Sequence, residues 1–212
     1  LRLKKTNPFP EFTGRVCPAL CENACTCGLN GNPVCSKQNE LSIIEYGYKH
    51  GLAKARPPKF RTGKKVAVIG AGPAGISAAC ELRMLGHAVD IHEAKAQPSG
   101  LCVHGVAPYK LTNEQAVDEI IYLQEQFGFT ITYNKPVAGR VDLDKLEKEY
   151  DAIFIGIGLG ATSKLGVKGE DKKGVIGALE YVEELRMKHH KTPIGNKVIV
   201  LGGGNTAMDA AS

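Results

Sequence analysis

Two patterns of apolar and polar positions run through the chain. Short apolar runs rich in Val and Ile occur at Lys65–Ile69 (KVAVI), Ala88–His92, 129–133, 151–155 (DAIFI) and 197–201 (KVIVL). Runs of this length bounded by charge or glycine predict strands buried in a parallel sheet. Between them lie helical stretches: 76–85, stopped by Gly86; one capped by Thr112 or Asn113, reaching Phe127 and stopped by Gly128; and 178–189, leading to Pro193 and Gly195. Upstream, Leu41, Ile44 and Tyr48 form a helical stripe within 39–54. Residues 1–13 read as an arm, because Asn7-Pro8-Phe9-Pro10 is too proline-rich for a helix. Residues 55–62, with Pro57-Pro58, read as a linker. The order strand, glycine turn, helix, strand begins at residue 64 and predicts an α/β fold.

Composition agrees with a packed domain. Hydrophobic residues make up 43% of the 212 residues and charged residues 23%, which disfavours disorder. The 25 glycines exceed the roughly 15 that average usage gives and follow no collagen period. The longest uncharged stretch, 66–80, has 15 residues, short of the ~20 a membrane helix needs. The absence of Trp argues against a carbohydrate- or base-stacking surface.

Charge is uneven. Residues 1–65 carry 12 Lys and Arg against 4 Asp and Glu, or +8; residues 66–212 carry 15 against 18, or −3. The basic start suits an acidic partner, an anionic cluster or simple solvation. No nucleic-acid motif accompanies it, so no nucleic-acid partner is expected.

Gly70, Ala71, Gly72, Pro73, Ala74 and Gly75 spell G-x-G-x-x-G between a predicted strand and a predicted helix. The first glycine makes the turn, the second admits a pyrophosphate, and the third lets helix and strand pack closely. Glu93 ends the next strand 23 residues after Gly70, where a carboxylate can hold a ribose hydroxyl. A second turn, Gly202, Gly203, Gly204, Asn205, Thr206 and Ala207, follows the run 197–201. Two such turns suggest two cofactors exchanging a hydride, with FAD at the first and NADH or NADPH at the second.

Five of the seven cysteines fall between Cys17 and Cys35 with no C-x2-C pair, which counts against a thioredoxin-type redox pair and common zinc-finger spacing. Clustered thiols on a basic segment, with no visible signal peptide, point to a reducing, cytoplasmic setting. Iron–sulfur ligation fits best; zinc and unligated thiols stay open.

The residues Thr13-Gly14-Arg15-Val16-Cys17-Pro18, Cys21-Glu22, Cys25 and Pro33-Val34, the 70–75 turn and Gly105-Val106-Ala107-Pro108-Tyr109-Lys110 together resemble the small (beta) subunit family of glutamate synthase. That family includes the electron-input part of dihydropyrimidine dehydrogenase. The resemblance implies a helical iron–sulfur segment (1–60), a glutathione-reductase-like FAD domain (61–165) and the start of an inserted NAD(P) domain (166–212). It implies two 4Fe-4S clusters, with Cys17 and Cys21 serving one, Cys25 the other and Glu40 a carboxylate ligand. No cysteine precedes Cys17, so neither cluster would be complete from these residues. The resemblance also places Gly100, Leu101, Lys110, Val137, Gly156 and Gly158 along the FAD path. Pro98-Ser99-Gly100-Leu101 departs from it, since relatives have two consecutive glycines before Leu. The implied activity passes electrons from NAD(P)H through FAD to the clusters and a catalytic large subunit or ferredoxin-type acceptor, in a hetero-oligomer. No residue of this chain is expected to act as acid, base or nucleophile. The alternatives are a dihydropyrimidine dehydrogenase electron-input subunit, a simple flavin reductase, or a nucleotide-binding fragment with a zinc clip.

Overall fold

The computed structural model describes residues 2–54, 59–188 and 191–212. Four parallel strands, β1 (Lys65–Ile69), β2 (Ala88–His92), β3 (Thr130–Thr132) and β4 (Ala152–Ile155), form one sheet in the order β3-β2-β1-β4. The crossovers are helical: α4 (Pro73–Met84), α6 (Asn113–Phe127) and α7 (Gly139–Glu149). The short α5 (Leu101–His104) precedes α6, and α8 (Ala178–Met187) and α9 (Asn205–Ala211) follow β4. Upstream of the sheet lie α1 (Pro10–Val16), α2 (Leu20–Asn23) and α3 (Ser36–Lys49).

Alternation along the central strand divides the core. Val68, with Ile91 of β2, packs against Ile76 and Ala79 of α4 and Ile120 and Leu123 of α6. Ala67 and Ile69 face the other way, toward Leu146 of α7. Helix α7 answers to no predicted element over 134–150, although Leu143, Leu146 and Tyr150 lie at helical spacing and pack on that second face.

Two expectations are corrected. The proline-rich start is not an extended arm: α1 begins at Pro10, because proline is tolerated in the first helical turn, where no intrahelical N–H bond is lost. Phe9 and Phe12, stacked 5.3 Å apart, enter the same core as Val68 and Ile91, so the amino-terminal helices share their packing with the sheet. The second correction concerns 197–201, which forms no strand, with Ile199 86% and Leu201 71% exposed. A lone strand without a hydrogen-bonded neighbour is not stable, and no described strand pairs with this run.

Helix α6 shows both of its predicted ends. Thr112 accepts from the Gln115 amide, and the Gln115 side chain accepts in return from the Thr112 amide. Gly128 closes the helix in the left-handed conformation at φ 69°. Thr112→Ala removes one half of this capping box and is expected to cost about 0.5–2 kcal/mol. A urea midpoint lowered at unchanged slope measures it.

Candidate dinucleotide site

The chain turns sharply where β1 ends. Gly70 has φ +100°, and a Cβ there would lie 2.5 Å from the Gly156 carbonyl oxygen. A Cβ on Gly75 would lie 1.9 Å from the Gly70 oxygen, so strand and helix meet backbone to backbone. Gly72 is the N-cap of α4, and its nearest neighbour to an added Cβ is the Gly100 Cα, at 3.8 Å. Pro73 takes the first helical position, and the Ile76 amide donates to the Gly72 oxygen at 3.0 Å. The amides of Ala74 and Gly75 come before that first bond and have no partner within the helix. They stand at the positive end of a 12-residue helix, with Pro73 and Ala74 exposed.

Glu93 closes one wall. It is buried beyond β2, where Oε2 accepts from the Ala71 amide at 2.7 Å and Oε1 from the Lys95 amide at 2.8 Å. Each carboxylate oxygen keeps further acceptor capacity for a hydroxyl. Loop 94–100 is bound back to the turn, with the Ser99 amide donating to the Ala71 oxygen at 2.8 Å. Ser99 has φ +76°, a left-handed position that favours glycine, and its hydroxyl donates to the Ala116 oxygen at 2.7 Å. Here the turn is held by a buried hydroxyl.

Gly70, Gly72, Glu93, Gly100 and Gly156 therefore lie together at the carboxyl ends of β1, β2 and β4, where an open α/β sheet has its crevice. Chain order reverses there, β2 and β3 lying on one side of β1 and β4 on the other. That is where open α/β sheets bind ligands. Leu101 is exposed at the start of α5. Gly158 has φ +71° with open space around it.

Other expected residues lie elsewhere. Val137 packs with Ala67, Ile69 and Leu146 in the second core. The Lys110 Nζ and the Tyr109 hydroxyl both donate to Asp209 Oδ1 of α9, each at 2.6 Å. Burial opposes ionisation of Asp209, but those two hydrogen bonds hold its carboxyl below the usual range. Asp209→Ala is expected to cost about 1 kcal/mol or less, since the Lys110 side chain is 33% exposed, with unchanged protection of the sheet amides in hydrogen exchange. Gly202 has φ +118°, Gly203 and Gly204 are open, and Asn205 and Thr206 begin the seven-residue α9. This second turn follows an exposed segment and lacks the strand that would frame a nicotinamide site.

All seven cysteines are free. Cys17 is the C-cap of α1, and its sulfur accepts from the Ala19 amide at 3.4 Å. The Cys25 sulfur accepts from the Val34 amide at 3.5 Å, a hydrogen bond that lowers its thiol pKa. Burial pushes Cys80 up to about 12 and Cys102 up to about 11, the mark of inert core thiols. Among the described residues no three His, Cys, Asp or Glu side chains group to hold a metal ion, so Cys17, Cys21, Cys25 and Glu40 do not converge. Nor is any helix among them long and apolar enough to cross a membrane.

Comparison with known proteins settles the lineage. The pyridine nucleotide-disulphide oxidoreductase family matches residues 64–212. The chain belongs to that family. It is 37% identical to the glutamate synthase [NADPH] small chain of Bacillus subtilis over its whole length, spanning 44% of that protein. It is 40% identical to glutamate synthase [NADH] of Schizosaccharomyces pombe over 98% of the chain, spanning 10% of that protein. The resemblance seen in the motifs thus extends along the chain. Among solved structures, Mycobacterium tuberculosis FprA in complex with NADPH superposes with a TM-score of 0.61 at 29% identity, covering 70% of this chain and 35% of FprA. In this pyridine nucleotide-disulphide oxidoreductase the turn after β1 packs backbone against backbone, with no space for a Cβ at Gly70 or Gly75.

Two buried arginines escaped the sequence reading. The Arg186 Nε donates to Asn113 Oδ1 at 2.9 Å and its Nη1 to the Val106 oxygen, tying α8 to the start of α6. The Arg83 Nε donates to the Phe127 oxygen at 2.7 Å, joining α4 to the end of α6. A lone arginine in a helical pattern carries no signal that separates it from a solvated one.

Proposed function

We propose that the chain is the flavin-holding part of an electron-input subunit, taking reducing equivalents from NAD(P)H and passing them to a partner. The observation that carries this reading is the crevice in which Gly70, Gly72, Glu93, Gly100 and Gly156 converge. Bound there, FAD would supply a two-electron acceptor that can release electrons singly. The residues of the chain position it. The Ala74 and Gly75 amides and the positive end of α4 neutralise the diphosphate, while Glu93 accepts from ribose hydroxyls. Loop 94–100, tied to the turn through Ser99, would flank the diphosphate, and Gly158 leaves open space after β4. No acid, base or nucleophile is assigned; the work of the chain is binding and orientation.

The reductant is inferred from the relatives, whose names specify NADPH in Bacillus subtilis and NADH in Schizosaccharomyces pombe. The Gly202, Gly203, Gly204, Asn205 and Thr206 turn is its proposed contact. We assign Cys17, Cys21, Cys25 and Glu40 to iron–sulfur ligation shared with residues outside this chain, supported by the backbone-bonded sulfurs of Cys17 and Cys25. Among the described residues no three of these side chains converge. The partner would be a catalytic large subunit in a cytoplasmic hetero-oligomer.

An anaerobic absorption spectrum with iron and acid-labile sulfide analysis, followed by separate additions of NADPH and NADH, tests the reading. The expected result is a flavin spectrum with a broad brown shoulder, bleached by one of the two nucleotides. Flavin without iron would withdraw the cysteine assignment and leave a flavin reductase. A colourless, zinc-containing protein would overturn the proposal.

A further inference from the structure

Outside the crevice the most deeply buried carboxyl group is Glu119 of α6, 1% exposed. Its Oε2 accepts from the Phe12 amide at 3.0 Å, so a residue of α6 satisfies the first turn of α1. Phe9, the N-cap of α1, provides no side-chain acceptor. Glu119 Oε1 lies 3.4 Å from the Tyr48 hydroxyl of α3, which donates to it. One carboxyl group thereby joins two amino-terminal helices to the dinucleotide domain. Helix α1 is seven residues long and ends at Cys17, about 10 Å from its start at 1.5 Å per residue. Whatever fixes the start of α1 also fixes where Cys17 stands.

Charge balance at this joint is unfavourable to a carboxylate. The groups facing it are Lys4, Glu11 on α1, Tyr48 on α3, Cys80 on α4 and Cys102 on α5, with Tyr122 of α6 packed edge-on against Tyr48. Lys4 is the one cation of this group, with its Nζ 4.5 Å from the centre of the Tyr122 ring. Burial, then the charge of Glu11, push Glu119 up to about 8, outweighing the Phe12 amide and Lys4. Glu11 is itself held by Arg15 at 3.1 Å, which limits its withdrawal from the joint.

We propose that Glu119 is a proton-dependent latch that docks α1, and with it Cys17, against the dinucleotide domain when neutral and releases them when ionised. The latch does not depend on which cofactor the crevice holds. With α1 undocked and water admitted, the carboxyl returns to its ordinary value near ~4.3. Docking is then at full strength below that value and is lost progressively as pH rises to the docked-state value of about 8. The loss between pH 6.5 and 9 amounts to about thirtyfold in the docking equilibrium.

Hydrogen exchange on the 212-residue chain, corrected for the intrinsic pH dependence of exchange, tests this directly. Amides of α1 are expected to lose at least tenfold in protection from about pH 6.5 to 9, while those of β1 keep theirs. Glu119→Gln retains an acceptor but cannot ionise, so its α1 protection is expected to be the same at both pH values. Equal α1 protection in the wild-type protein at both pH values overturns the proposal. So does an equal fall in E119Q, or a fall of β1 in step with α1, which would mean global unfolding. The wild-type comparison of α1 with β1 stands whether or not the variant folds.

Discussion

Gly75→Ala is expected to abolish flavin binding and to destabilise the domain by about 3 kcal/mol. The new Cβ would sit 1.9 Å from the Gly70 carbonyl oxygen, and neither atom can yield without moving β1 away from α4. Relief by rotamer change is impossible, because both partners are backbone. A loss of this size lowers the melting temperature by roughly 6–12 °C. Calorimetry and flavin content measured on one preparation check both halves. Gly72→Ala makes the contrast: its Cβ would meet nothing closer than 3.8 Å, so stability should change little while binding falls as the diphosphate loses its approach.

Glu93→Ala should rank second. Its carboxylate accepts from two amides, Ala71 at 2.7 Å and Lys95 at 2.8 Å, and removing it leaves both donors without that acceptor. The Ala71 amide is buried while Lys95 is exposed to water, so the expected cost is roughly 1–3 kcal/mol for the one buried donor left unsatisfied. Glu93→Gln should cost less, since one oxygen still accepts while the new NH2 faces a donor. Denaturant unfolding orders the three proteins, with wild type above E93Q and E93Q above E93A. Flavin affinity should follow the same order, because the group that pins the turn also meets the ribose.

How far sequence reasoning reached depended on whether a residue's role was local. The glycine turn, Glu93 and the Thr112–Gly128 helix carry their reasons within a few residues, and the structure places them as expected. The run 197–201 looks like β1 in composition yet forms no strand, since strand formation needs a neighbouring edge that apolar content does not reveal. Helix α1 was hidden by a proline that its first turn tolerates. Glu119 did leave a trace: Ala116, Glu119, Ile120 and Leu123 share the i, i+3, i+4, i+7 stripe that is buried in α6. An acidic residue on such a stripe marks a buried carboxyl, and only its partner, 107 positions away, required the fold. For the cysteines, spacing pointed to ligation, but convergence is a three-dimensional property, and three do not converge among the described residues.

FAD is assigned to the crevice beside Gly70, Gly72 and Glu93. Titration of the flavin-free chain with FAD, followed by quenching of flavin fluorescence, tests it most directly. Saturation at one equivalent per chain, lost in Gly75→Ala and weakened in Gly72→Ala, is the predicted result. No saturable binding, or saturation unchanged in both variants, would contradict it.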